Sequence, residues 1–458
     1  MNPEALTRES LLEFAQRRRD GFEWELRNLV GIPTISADPG RRGEMERCAE
    51  YARDMFHRYG GTAEILDTEG SPMVLGRLGL TPGLPTVTVY NHLDVQPADE
   101  PEWTTEPFQM VTEGDVFRGR GTTDDKGPAL AAFYGAIAAQ EAGLPLNVHF
   151  LWEMEEEIGS PHFRGGLERH LNKLLTDSII VSDTVWTAPG RPSTPAGLRG
   201  ILTFYLRLET ADHDAHSGVV GGAARNPVGE LMEVFCELVD PSSGKVKVPG
   251  FYDEVEKPSK QELQDWMEAG FTVEDFKRDN GLRRLRTEDP LKLMKRTWAR
   301  PTLEVHGLSG GYQGPGIKAV VPPRAELKLS CRLVPGMDGE RTFERIRSFV
   351  AKRFPDVEIE KGHYGPAFRG HTTGPYAEAI KDAYDFAFGQ SCSFTRQGGT
   401  IGAVKAMEEV LGAEVYFLGL SLPSHGYHAP NENFDWTQAS GGMAAFARYF
   451  QTVSGIGY

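Results

Sequence analysis

Three short apolar runs in this chain each deliver a histidine or a carboxylate at their carboxyl end, and that pattern limits the folds open to it. TVTVY at 86–90 leads to His92 and Asp94, NVHFLW at 147–152 leads to Glu153, Glu155, Glu156 and Glu157, and SIIV at 178–181 leads to Asp183. Runs so short and so apolar suit strands covered on both faces, as in a mostly parallel sheet between layers of helix. The intervening sequence supplies helices. In 44–59, Met45, Cys48, Ala49, Ala52 and Phe56 recur at helical spacing, and Gly60–Gly61 stop the pattern. The loop GTTDDKG at 121–127 precedes an apolar helix at 128–142. Open sheets of this kind bind ligands beyond the carboxyl ends of their strands, which is where the acids and the histidine fall.

The middle of the chain follows another rule. ILTFYLRLE at 201–209 and RAELKLSCRLV at 324–334 alternate apolar and polar residues, as half-buried antiparallel strands do. TFERIRSFVAKRF at 342–354 reads as an amphipathic helix and DVEIE at 356–360 as a further strand. Residues 241–300 are charged and give no clear element. After Gly374 the first style returns, with a helix at 375–388, a strand at 415–420 and a helix at 438–450. The 458 residues exceed what one core organises. The expected architecture is a discontinuous α/β catalytic domain, 1–199 and 366–458, with a central mostly parallel sheet flanked by helices. An α+β lid or dimerisation domain, 200–365, is inserted into it.

The formal charge of -16 argues against nucleic acid or an anionic membrane surface as the main partner. No run approaches the roughly 20 apolar residues of a membrane span, and the start lacks the order of a secretory signal. Cys48, Cys236, Cys331 and Cys392 are far apart and form no CxxC unit. Free thiols in a reducing compartment, hence a cytoplasmic protein, are expected.

The chemistry-bearing residues each carry a second, plainer reading. Imidazole is a good ligand for zinc, and Asp94 could fix the tautomer of His92, but HxD also suits a polar turn. Asp124 and Asp125 lie in the glycine-rich GRGTTDDKG, where adjacent carboxylates repel unless a cation lies between, or unless Lys126 offsets them. Within the Glu153–Glu157 cluster one acid could bind metal while its neighbour moves a proton, or all could face solvent. Asp183 has the same choice. His216, in DHDAHSGVVGG at 212–222, could stabilise an oxyanion if a closing domain or a second subunit delivered it, could join Asp212, His213 and Asp214 in a third metal site, or could sit in a surface turn. Arg332 could fork onto a substrate carboxylate or an internal one. Near the C-terminus, Arg396 stands before Gly398 and Gly399, where a ligand could approach the backbone, and SHGYHAPNE at 424–432 offers His425 and His428.

Together NHLDVQP at 91–97, Trp103, Pro107-Phe108, GRGTTDDKG, EMEEEIGS at 153–160, Ser182-Asp183, HSGVVGG at 216–222 and HAPNE at 428–432 resemble the dinuclear zinc exopeptidase and amidohydrolase family, nearest its carnosinase-like dipeptidase branch. The resemblance implies two divalent ions, zinc or alternatively manganese or cobalt. His92 and Asp183 would hold one, Glu157 and His428 the other, and Asp124 would bridge them across a cis Asp124–Asp125 peptide. It further implies that Asp94 orients His92, that Glu156 is general base and acid, that His216 steadies the tetrahedral intermediate, and that Arg332 grips the substrate carboxylate, with the loop of Arg396, Gly398 and Gly399 lining the pocket. A homodimer cleaving dipeptides or short peptides with a free C-terminal carboxylate follows. The alternatives are deacylation of N-acyl amino acids by the same chemistry, or a non-enzymatic metal-dependent binding protein. Met154 replaces the usual glycine of the glutamate motif, and Ala429 and Pro430 alter the last motif, without removing any implied ligand.

Overall fold

The computed structural model describes residues 6–456. Its central sheet has six strands in the order Thr62–Leu66, Met73–Leu78, Asn147–Glu153, Thr86–His92, Ser178–Val181, Glu414–Phe417. Only Met73–Leu78 runs against the others. The sheet is mixed and mostly parallel, and four of its strands point their carboxyl ends the same way at the centre and one edge.

The period of two along these strands divides two cores. Val87, Val89, Val148, Phe150, Trp152 and Ile180 face one side, with the helices Arg8–Val30, Arg42–Arg58, Lys126–Glu141, Pro375–Phe388 and Trp436–Ser454. Tyr90, Leu151, Ile179 and Val181 face the other, covered by Phe163–Arg169 and Gly402–Leu411. The Lys126–Glu141 helix is apolar on every side and buried along nearly its whole length, which suits an element enclosed by other helices. Its Gly135 lets the last helix approach: a Cβ there would lie 2.6 Å from Phe446 Cβ.

A separate antiparallel sheet, in the order Thr302–Gly310, Arg324–Leu333, Gly200–Glu209, Glu358–Gly365, forms the lid-like region. Alternate residues Leu202, Phe204, Leu206 and Leu208 enter its own core beneath the helices Pro227–Leu238 and Gly339–Arg353. The discontinuous α/β class with a lid is therefore present. Several element ends differ from expectation. His92 is the last residue of its strand rather than past it, the strand expected at 415–420 ends at Phe417, and that expected at 356–360 runs from Glu358 to Gly365. The uninformative 241–300 holds three short helices, Lys260–Glu268, Val273–Asp279 and Pro290–Trp298, around a small core of Trp266, Met294 and Ala299. Each is too short to show a sustained apolar stripe, although Ser259 and Glu262 form a capping box. Cys48, Cys331 and Cys392 are buried free thiols, and Cys236 is free and exposed. No helix among the described residues is long and apolar enough to cross a membrane.

Candidate metal centre

The carboxyl ends of the parallel strands meet two irregular loops, one through 119–125 and one through 424–432. His92 Nε2 lies 3.0 Å from Asp124 Oδ1 and 3.8 Å from Asp183 Oδ2. Across the same carboxylate, His428 Nε2 lies 3.0 Å from Asp124 Oδ2 and 3.1 Å from Glu157 Oε2. The two oxygens of Asp124 thus face two imidazoles, each backed by a second carboxylate. Glu156 joins the first side: ligand atoms of His92, Glu156 and Asp183 all lie within 4.8 Å of one another.

Each side chain is aimed by neighbours. The Nδ1 of His92 lies 3.0 Å from the Asp94 carbonyl and 3.4 Å from its carboxylate, so the ring donates there and leaves the Nε2 lone pair for the site. The Asp94 carboxylate also accepts the backbone N–H groups of Glu156 and Glu157, at 3.1 and 3.0 Å, fixing the acidic turn. Gln96 donates to Glu157 Oε2 and Tyr427 to Asp183 Oδ1. His428 has φ +52°, a left-handed backbone that costs energy outside glycine and places its ring over Asp124.

The loop bearing Asp124 is held by a residue to which the sequence reading gave no role. Buried Glu432 accepts the N–H groups of Gly121, Thr123 and Asp124 and a charge-assisted bond from Arg120 Nη1. Arg120 in turn lies 5.3 Å from the Trp103 ring. The Asp124–Asp125 peptide is cis, and Asp125 accepts from Asn91 Nδ2. Lys126 does not offset the aspartates. Its ammonium donates to the carbonyls of Leu29 and Ile32, at and just past the end of the first helix, where the negative end of the helix dipole favours a cation.

The electrostatics match a centre that requires cations. Burial pushes Asp183 up to about 7, against the pull of His92 and with repulsion from Asp124 and Glu157. Burial likewise raises Glu156 well above the carboxylate range and raises Glu157, beside Asp124. Burial opposes charge on His428, but hydrogen bonds to Asp124 and Glu157 lift it to about 11. Two carboxylates this close to two others are costly unless positive charge is shared among them. Divalent ions held among them would supply that charge. Asp124 Oδ2 is buried without a well-aligned hydrogen-bond donor. Imidazole nitrogens with carboxylate oxygens suit zinc, manganese or cobalt, so this donor set fits two such ions.

The remaining candidates sit apart from the acids. Arg332 donates to Thr400 Oγ1 at 2.9 Å. Beside it stands Arg199, which carried no signal in the sequence; it donates to the Gly398 carbonyl and forms no salt bridge among the described residues, with Glu304 acting on it only at longer range. Burial and the neighbouring Arg332 charge lower its pKa to about 10. Arg396 is buried and bonded twice to Glu262, an internal acid, rather than facing the carboxylate cluster. At Gly398 a Cβ would meet Arg199 at 2.9 Å and the Thr297 carbonyl at 3.1 Å, whereas Gly399 has open space around it. His216 is exposed on the lid and accepts the Gly218 N–H. His425 is buried against Asp435, so of the two late histidines His428 meets the acids.

Residues 88–452 match the model of peptidase family M20/M25/M40. The chain is 30% identical to a Cys-Gly metallodipeptidase of Schizosaccharomyces pombe, over 98% of each chain. It is also 30% identical to the human Beta-Ala-His dipeptidase, over 96% of this chain and 92% of that one. The solved structure of the di-peptidase Dug1p from Saccharomyces cerevisiae superposes with a TM-score of 0.85 at 28% identity, covering 98% of this chain and 99% of the other.

Proposed function

The chain belongs to peptidase family M20/M25/M40, and we propose that it is a dipeptidase whose two metal ions, zinc in the first instance, are held by His92 with Asp183 and by His428 with Glu157, across Asp124. The observation that carries this reading is the placement of one buried carboxylate between two imidazoles, 3.0 Å from each. The bound ions supply polarisation of the scissile carbonyl and acidify water near neutrality.

The protein's own residues do the rest. Glu156 lies on the His92 and Asp183 side, fixed through its backbone by Asp94. Its carboxyl, within reach of the atoms that would hold the metal, is placed to take a proton from the attacking water and return it to the departing nitrogen. Arg332, with Arg199 beside it, receives the C-terminal carboxylate of the substrate, and Thr400 holds the Arg332 guanidinium in place. His216 and the neighbouring Val219 and Ile317 are exposed on the lid. We assign them to a homodimer in which this histidine faces the carbonyl oxygen in the partner subunit's site. The names of the relatives, which are dipeptidases, favour peptides over N-acyl amino acids.

The test pairs metal content with substrate choice. Asp124→Asn loses both ions and all hydrolysis, whereas Glu156→Gln keeps both ions. Dipeptides are cleaved and their N-acetyl forms are not. Cleavage of the acetylated forms at equal or greater rate transfers the assignment to deacylation, and full metal loading of Asp124→Asn removes the bridging role.

A further inference from the structure

A second cavity, of about 660 Å³, lies away from the acidic cluster. It sits between the hairpin of Val239–Asp240 and Lys245–Val246, the loop through 252–258, the helices Lys260–Glu268 and Pro290–Trp298, and the start of the Thr302–Gly310 strand. Lys245, Lys257, Lys295, Arg296 and Arg300 line it, and no Asp or Glu among the described residues does. On a chain of charge -16 this is a local inversion of sign.

The cations are not neutralised from nearby. Lys245, Lys257, Lys295 and Arg300 form no ion pair with any described residue, and Lys295 is half-buried. Arg296 donates to the Ser243 carbonyl, which orients its guanidinium without cancelling its charge. Glu256 and Glu304 adjoin the cavity in sequence but do not line it, and three other acids nearby are committed elsewhere. Glu254 pairs with Arg341 and Arg345, Asp240 accepts the hydroxyls of Ser242 and Ser243, and Glu262 pairs with Arg369 and Arg396. Like charges gathered around a hollow repel, and an anion of matching charge relieves that repulsion. Between the cations the wall is apolar and aromatic, through Tyr252, Val255, Leu263 and Pro301. A small inorganic anion leaves this part of the wall uncovered. The volume is that of a site for an organic molecule of drug or nucleotide size.

We propose that this cavity binds an organic anion bearing at least two negative charges, phosphate or carboxylate, on a flat apolar body. None of the metal-centre residues lines the cavity and neither does Arg332, although Thr302 on its wall is the cross-strand partner of Arg332, and the inference does not depend on the peptidase reading. Calorimetric titration of the full-length, metal-loaded protein tests it with adenosine monophosphate and benzene-1,3,5-tricarboxylate, with adenosine as the neutral control. The first two arms separate phosphate from carboxylate chemistry. At least one anion is expected to bind with a Kd below about 1 mM, and adenosine about tenfold or more weaker. Lys257→Glu with Arg300→Glu, both at exposed positions, reduces the affinity at least about tenfold with an unchanged melting temperature, and the milder Lys295→Gln reduces it alone. Arg332→Ala leaves binding unchanged. Absence of binding by both anions, equal binding of adenosine, full binding by both charge variants, or loss of binding in Arg332→Ala would each overturn the proposal.

Discussion

Two buried acidic groups in this protein have opposite fates. In the metal centre, Asp124, Glu156, Glu157 and Asp183 crowd one another, and burial raises three of the four. Glu262 is also buried, yet hydrogen bonds from Arg369 and the Ser259 N–H, and the charge of Arg396, overcome burial and hold it at about 2. One group carries its own counter-charges on the chain. The other has an excess of negative oxygen that no lysine or arginine meets. The contrast separates an acid that stabilises the fold from acids positioned to bind something the polypeptide does not contain.

The sharpest test of that contrast is removal of the ions. Dialysis against a chelator abolishes hydrolysis and lowers the melting temperature by several degrees, and divalent metal restores both. Next in size is Glu156→Gln, which keeps its metal while kcat falls by about 10³–10⁴. Metal analysis beside steady-state kinetics checks it, and loss of the ions would make Glu156 a ligand instead. Third, Glu262→Gln costs on the order of 3 kcal/mol and leaves metal content unchanged, measured by urea unfolding. The Glu262 pKa is lowered on folding, from an ordinary value of 4.5 to about 2. Its contribution is therefore complete above pH 4.5 and is lost as pH falls through 2, so wild type and variant converge in acid. A difference that persisted at pH 2 would place the effect in packing. Smallest is Arg332→Ala, which raises KM about 10- to 100-fold for substrates with a free carboxylate, about 1–3 kcal/mol, and much less for amidated analogues. Equal effects on the two would remove Arg332 from carboxylate binding.

Much of this arrangement is legible along the chain. The apolar runs ending at His92, Glu156–Glu157 and Asp183 mark strand ends because a period of two with both faces apolar leaves little else for them to be. The alternation in 201–209 and 324–334 marks the second sheet for the complementary reason. What the sequence hides is interaction across distance. Glu432 is one acid in a polar loop until the fold brings three N–H groups and Arg120 to it. Arg199 shows its importance only when Arg332 stands beside it without an intervening carboxylate. Arg396, which stands just before two glycines, suggests a ligand, but its partner Glu262 comes from a segment whose short helices leave almost no periodic signal.

The two imidazoles that flank Asp124 come from positions 92 and 428, and the carboxylate that pins its loop from position 432. Chains are made from the N-terminus at about 5–20 residues each second, so the earlier ligands leave the ribosome well before the later ones. A product that ends before position 428 therefore carries the early carboxylates but lacks the second imidazole beside Asp124 and the carboxylate that pins its loop.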